Sequence, residues 1–174
     1  MPLYTKTGDD GTSTLFNSKR LSKAGLVFEA LGSVDELSSL LGFVISQLKK
    51  EVNKESLTQI QKDLQIIMAY LSGARNDFVL IKNGLKKIEQ FLDKNQDKPT
   101  KLNRFILPQG SEESALFHFL RAVCRRSERA VVRYLNHQKN KKNDKIIIIS
   151  YLNRLSDFFF VLARIYNRGQ EITI

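Results

Sequence analysis

One cysteine among 174 residues, Cys124, excludes an intramolecular disulfide and any multi-cysteine metal site. Set in a helical pattern between Val123 and Arg125, it is read as a small buried hydrophobe rather than a nucleophile. Histidine is almost as scarce. His118 and His137 belong to no Glu-x-x-His pair and no Ser/His/Asp array, so they are taken as surface or partly packed residues, not ligands. Met1 to Asp10 lacks a basic start followed by an apolar stretch, so no secretory signal is expected. The most apolar region, Ile146 to Tyr166, is interrupted by Asn153, Arg154, Asp157 and Arg164 and is not expected to span a membrane. With 42% hydrophobic and 26% charged residues, a soluble, cytoplasmic protein with one packed core is expected.

Positive charge is what the chain has in excess. The formal net charge is +10, which favours a polyanionic partner: nucleic acid, acidic lipid headgroups or a polyphosphate ligand. Part of the excess, Lys139, Lys141, Lys142 and Lys145, crowds an Asn/Lys stretch that reads as a solvated loop.

Apolar periodicity predicts helices. Ala30, Val34, Leu37, Leu41, Val44 and Leu48 recur at spacings of three and four, giving a first helix from about Val27 with Lys49 and Lys50 closing it. A second is expected from Ser56, as N-cap, through Leu57, Ile60, Leu64, Ile67, Met68 and Leu71, with Gly73 as its stop. A shorter third covers Gly84 to Leu92, and a polar stretch containing Pro99 follows. Phe105 to Pro108 is an extended apolar segment. Ser111 caps a fourth helix, with Glu112 and Glu113 in its first turn, running to about Leu135. The last is expected from Asp144 to Arg168, with Gly169 just past its end. Ile146 to Ile149 could form a strand, but the spacing of Leu152, Leu155, Phe159, Leu162 and Tyr166 outweighs them. The fold class is all-α: an up-down, ferritin-like five-helix bundle over 26–174 with a structured N-terminal loop, or small hairpin, over 1–25. It forms a single domain over 1–174.

Two helices carry polar residues that a simple bundle does not need. The fourth holds Arg121, Arg125, Arg126, Arg129 and Arg133; Arg121, Arg125 and Arg129 fall within an arc of about 80°. Such a column of guanidiniums suits phosphate, and Glu128 lies beside it. On the fifth, Asn153, Asp157, Phe160 and Arg164 lie within about 60° of each other, a polar stripe expected to form a wall of a site or an interface. Asp35 stands at the margin of the first helix's buried face, placed for an ion pair with an arginine. The N-terminal run from Thr5 to Thr14, with Gly8, Gly11, several hydroxyls and Lys6, has the chemistry of a phosphate cradle but not the spacing of a Walker A loop.

Five segments occur in order: Thr5-Lys6-Thr7-Gly8-Asp9-Asp10-Gly11, Gly32-Ser33-Val34-Asp35-Glu36-Leu37-Ser38-Ser39, Phe105-Ile106-Leu107-Pro108, Arg121 to Arg129, and Tyr151 to Asp157. Together they closely resemble the PduO-type ATP:cob(I)alamin adenosyltransferase family. The resemblance implies a homotrimer with active sites at the subunit interfaces, ATP and cobalamin as substrates, and Mg²⁺ held mainly through the ATP phosphates. It implies that Thr5, Lys6, Thr7, Gly8, Ser13 and Lys23 contact ATP from one subunit. Arg125, Arg126, Glu128, Arg129 and Asn153 would do so from the other. Asp35 would pair with Arg121 across the interface, and Phe105 and Phe160 would line the corrinoid cavity. Arg125, Arg129, Asp35 and Arg121 are the expected catalytic residues.

The implied partners are a corrinoid reductase and an adenosylcobalamin-dependent enzyme, with no nucleic acid and no membrane. Three departures from the family pattern fall on the corrinoid side. Gln109 replaces a second glycine, Leu120 replaces a small residue before Arg121, and the 68–76 segment lacks Leu-Gly-Ala. A basic helical nucleic-acid-binding protein is the alternative that the charge suggests; it leaves the Asn153/Asp157/Phe160 stripe unexplained.

Overall fold

The computed structural model describes residues 4, 6–49, 54–74, 78–95, 104–138, 142–168 and 170–174. Among them are a two-stranded hairpin, β1 (Thr12–Thr14) and β2 (Arg20–Ser22), and five helices. The helices are α1 (Leu26–Gln47), α2 (Lys54–Leu71), α3 (Val79–Asn95), α4 (Glu112–Asn136) and α5 (Lys142–Asn167). The expected all-α five-helix bundle is the fold observed. α4 packs on α5 and α1, α3 packs on α5, and α2 bridges α1 and α3, so the helices close into a ring. The apolar positions at three-four spacing turn inward: Val34, Leu37, Leu64, Ile67, Leu152 and Phe159 are fully buried, and Met68 and Tyr166 pack partly buried against them.

The hairpin pairs Thr12 with Ser22, Ser13 with Leu21 and Thr14 with Arg20. Its turn bends through Ser18 at a φ of 63° and rests on the end of α2. There a Cβ on Gly73, whose φ is 95°, would lie 2.3 Å from Asn17 Nδ2. Gly73 therefore both stops α2 and admits the hairpin.

Helix starts are where the sequence misleads. α2 already includes Lys54, so Ser56 lies inside its first turn and is not the N-cap. α3 begins at Val79, well over one turn before Gly84, and continues to Asn95. Gly84 is mid-helix for a packing reason: a Cβ there would sit 2.3 Å from Asp63 Oδ2 and 3.1 Å from Tyr151 Cε2. Lys49 lies beyond α1, whose last turn holds no basic residue, and its ammonium reaches Glu112 at 3.9 Å. Lys50, Lys139, Lys141, Pro99 and Gly169 lie outside the described residues.

α5 is long and apolar enough to cross a membrane by length and composition, as many core helices are. Here it packs between α4 and α3, with Ile148, Leu152, Leu155 and Phe159 in the core.

Under Gly84 lies a buried polar cluster. The Tyr151 hydroxyl donates to Asp63 Oδ2 at 2.8 Å, and the Gln59 amide donates to Oδ1 at 3.0 Å. Burial raises the Asp63 pKa above 3.8 despite both hydrogen bonds and the charge of Lys87. The folded state thus holds this proton more tightly than the unfolded chain. The group favours folding below pH 3.8 and turns against it as pH rises through the folded value. Asp63→Asn keeps an acceptor for Tyr151 and removes the buried charge. It is expected to raise Tm at pH 7 by about 2–4 °C, roughly 1 kcal/mol in a chain of this size, with the gain shrinking toward pH 4. Thermal melts of both proteins across that range check it; a lower Tm for the variant at pH 7 would contradict it.

Candidate active site

α4 presents the arginines because its start and its buried face are both fixed. Ser111 Oγ accepts from the Ser114 amide at 3.1 Å, an N-cap with Glu112 and Glu113 in the first turn. The buried face meets α1 and α5 through small residues. Ser127 Oγ donates to the Ser33 carbonyl at 2.6 Å, and the Cys124 thiol donates to the Leu152 carbonyl at 3.3 Å. Burial pushes the Cys124 thiol far above its ordinary pKa, so it is packing, as expected, and not a nucleophile.

Two cavities open side by side along the α4–α5 seam. The first, about 440 Å³, is lined by apolar Phe105, Ile106, Pro108 and Phe160 and by polar His118, Arg121, Arg125 and Asp157. The second, about 430 Å³, is lined by Arg125, Glu128, Arg129, Arg133 and Asn153. Arg125 belongs to both walls. Phe105 is 84% exposed at the rim of the first, an aromatic surface that no described residue covers.

The five arginines of α4 divide into two groups. Arg126 meets Glu36 at 2.5 Å, and Arg133 meets Glu29 at 3.3 Å, in a groove shared with α1. Arg121, Arg125 and Arg129 have no ion-pair partner among the described residues. Arg121 lies with its guanidinium 5.9 Å from the Phe160 ring centroid, and its Nε is buried without a hydrogen-bond partner. Burial, then the charge of Arg125, lowers its pKa. Glu128 accepts from the Asn153 amide at 3.5 Å, fixing that amide in the wall of the second cavity.

The N-terminal loop is held in shape by its own side chains. Arg20 donates to the Thr7 carbonyl and pairs with Asp10 at 3.0 Å. Asp10 accepts from the Thr12 amide at 3.0 Å and hydroxyl at 2.6 Å, bonds that lower its pKa to about 2. Lys23 Nζ donates to the Gly8 carbonyl at 2.8 Å, and Lys6 takes a positive φ of 60°. This ordered turn contains Lys6, Thr7, Gly8, Ser13 and Lys23, but none of them lines either cavity of the same chain. Thr5 lies outside the described residues. Asp35 is exposed on α1 and likewise absent from both cavities.

Two side chains have roles that the sequence did not show. Arg164 is no part of the site wall, since its Nε donates to Glu171 at 2.8 Å in a buried pair. His118 is 5% exposed, its Nδ1 lacks a partner, and its ring lies 6.1 Å from that of Phe160. Burial, then Arg121, depresses its pKa while Glu171 opposes them, so the imidazole is neutral at physiological pH. The signal available in the sequence was spacing: three residues before Arg121, His118 must share its helix face.

The family model for cobalamin adenosyltransferases matches residues 3–166. The chain belongs to the cobalamin adenosyltransferase family. The human corrinoid adenosyltransferase MMAB is 41% identical over 172 residues, covering 93% of this chain and 67% of that protein. A Bacillus subtilis corrinoid adenosyltransferase is 34% identical over 178 residues, covering 99% of this chain and 90% of that one. Among solved structures, a variant PduO-type ATP:corrinoid adenosyltransferase from Lactobacillus reuteri, complexed with cobalamin and ATP, superposes with a TM-score of 0.87. It is 26% identical, and the match covers 99% of this chain and 98% of that one. The family match takes in the hairpin and most of α5, and stops short of segment 170–174, which touches Phe105.

Proposed function

We propose that the chain transfers the 5′-deoxyadenosyl group of ATP to the Co(I) centre of cob(I)alamin or another corrinoid, releasing triphosphate. The observation that carries this is Arg125 standing in the shared wall of an apolar-sided cavity and a cation-lined one. The first suits the face of a corrin ring, and the second suits a polyphosphate. In the transfer, the cobalt electron pair forms the Co–C5′ bond as the C5′–O bond breaks. Its electrons leave on triphosphate, and Co(I) becomes Co(III). The corrinoid is itself the nucleophile, so no side chain has to be.

What remains for the protein is positioning and charge. Arg125 and Arg129 neutralise the triphosphate as it departs, and Asn153 orients it. Phe105 and Phe160 pack against the corrinoid, crowding out its lower axial ligand and easing reduction to Co(I). Arg121, its guanidinium 5.9 Å from the Phe160 ring centroid, adds a cation to that wall. Among the described residues no group of three or more His, Cys, Asp or Glu side chains could hold a metal. Mg²⁺ would be carried mainly by the ATP phosphates, with Glu128 the carboxylate in the wall of the second cavity.

The loop bearing Lys6, Thr7, Gly8, Ser13 and Lys23 is ordered yet lines neither cavity of its own chain, which supports a site completed by a neighbouring subunit. Thr5 belongs to the same proposed set, whereas Arg126, paired with Glu36 in the groove on α1, lines neither cavity. A homotrimer would supply the missing half of each site and bring Asp35 to a neighbour's Arg121. A fully active monomer would contradict that arrangement. A cytoplasmic location, a reductase supplying Co(I) and an adenosylcobalamin-dependent consumer complete the proposal. Mixing the protein with ATP, Mg²⁺ and chemically reduced cobalamin is expected to produce the absorbance spectrum of adenosylcobalamin. Folded protein that leaves the spectrum unchanged would contradict it.

A further inference from the structure

Phe105, Ile106 and Pro108 reach the first cavity from a segment with no helix of its own. Its hydrogen bonds run to the end of α5 and to segment 170–174. Ile106 bridges Thr173 in antiparallel fashion. The Leu107 amide donates to the Ile172 carbonyl, and the Ile174 amide donates to the Phe105 carbonyl, both at 2.9 Å. Farther along, the Ser111 amide donates to Asn167 Oδ1 at 3.1 Å, and the Ser111 hydroxyl donates to the Tyr166 carbonyl at 3.2 Å. So short a strand pairing is marginal in water without another anchor. Arg164 and Glu171 provide one, joined at 2.8 Å with side chains only 6% and 9% exposed. Separating them would strand a charge in the interior, so Glu171 is held strongly, and with it the residues that pair with the lip.

We propose that segment 170–174 is a strap that sets the position of Phe105 at the corrinoid cavity, with Arg164 and Glu171 as its clasp. Neither clasp residue lines the cavity. They are positioning residues for the corrinoid half of the reaction, acting through Ile172, Thr173 and Ile174, and their role rests on the assignment of that cavity to the corrinoid. None of these residues lines the second cavity, so ATP binding should not sense the strap.

The test compares the wild type, Arg164→Met, Arg164→Lys and a chain ending at Gln170, by steady-state kinetics against cobalamin and against ATP. Amide exchange at Leu107 and far-ultraviolet circular dichroism accompany the kinetics. For Arg164→Met and the shortened chain, KM for cobalamin is expected to rise about tenfold or more. KM for ATP and helicity should hold, and Leu107 exchange should accelerate. Arg164→Lys, which keeps a cation for Glu171, should recover part of the loss. Unchanged cobalamin kinetics in the shortened chain would overturn the strap. So would equal losses toward both substrates with falling helicity, which mark a purely structural role. A wild type that forms no adenosylcobalamin would overturn the function itself, and the strap's role with it.

Discussion

Arg125→Ala is expected to lower kcat by about a thousandfold while leaving the bundle folded, because the lost guanidinium acts on charge that develops only as triphosphate departs. The side chain is exposed between the two cavities and has no ion-pair partner among the described residues. Its removal therefore strands no buried charge and opens no void in the core. Core neighbours Cys124 and Ser127 keep their hydrogen bonds to α5 and α1. Arg126→Ala is the internal control. Arg126 is paired with Glu36, and its loss should cost far less activity. Single-turnover kinetics with circular dichroism check both, and near-normal turnover by Arg125→Ala would refute the role given to it.

Gly110→Ala is expected to destabilise the fold by about 3 kcal/mol, lowering Tm by about 6–12 °C. Two independent costs meet at this position. Its φ of 135° is one that side-chain-bearing residues rarely adopt, and a Cβ there would lie 2.0 Å from Asn167 Oδ1. Asn167 is buried, and the same oxygen accepts from the Ser111 amide, so it cannot retreat without loosening the cap of α4. The damage should also reach catalysis, because Ser111 ends the segment that carries Phe105. A thermal melt decides the first part; an unchanged Tm would contradict it.

The helical core was legible because burial of one face imposes three-four spacing, and Leu37, Leu64, Leu152 and Leu155 obey it; Leu120, read as a corrinoid-side departure, is instead fully buried in the core. Helix starts were less so. Gly84 looked like a boundary, but it is glycine because Asp63 and Tyr151 press against it from other helices. No local pattern carries that information. The arginine column was visible on α4, and α5's Asn153 and Phe160 do join it at the cavities. Arg164 shares their helix face but is claimed by Glu171, a residue in a segment without periodicity. His118 was hidden because its burial depends on α5 and Phe160, not on its neighbours in sequence. The family resemblance rested on ordered motifs spread along the chain and was sound.

Attack at C5′ leaves the three phosphates joined, a consequence that ATP hydrolysis or adenylyl transfer does not share. Phosphorus NMR of the reaction with reduced cobalamin measures it directly. The proposal predicts one intact triphosphate for each adenosylcobalamin formed. Release of pyrophosphate, or of ADP with orthophosphate, in step with cobalamin consumption would contradict it.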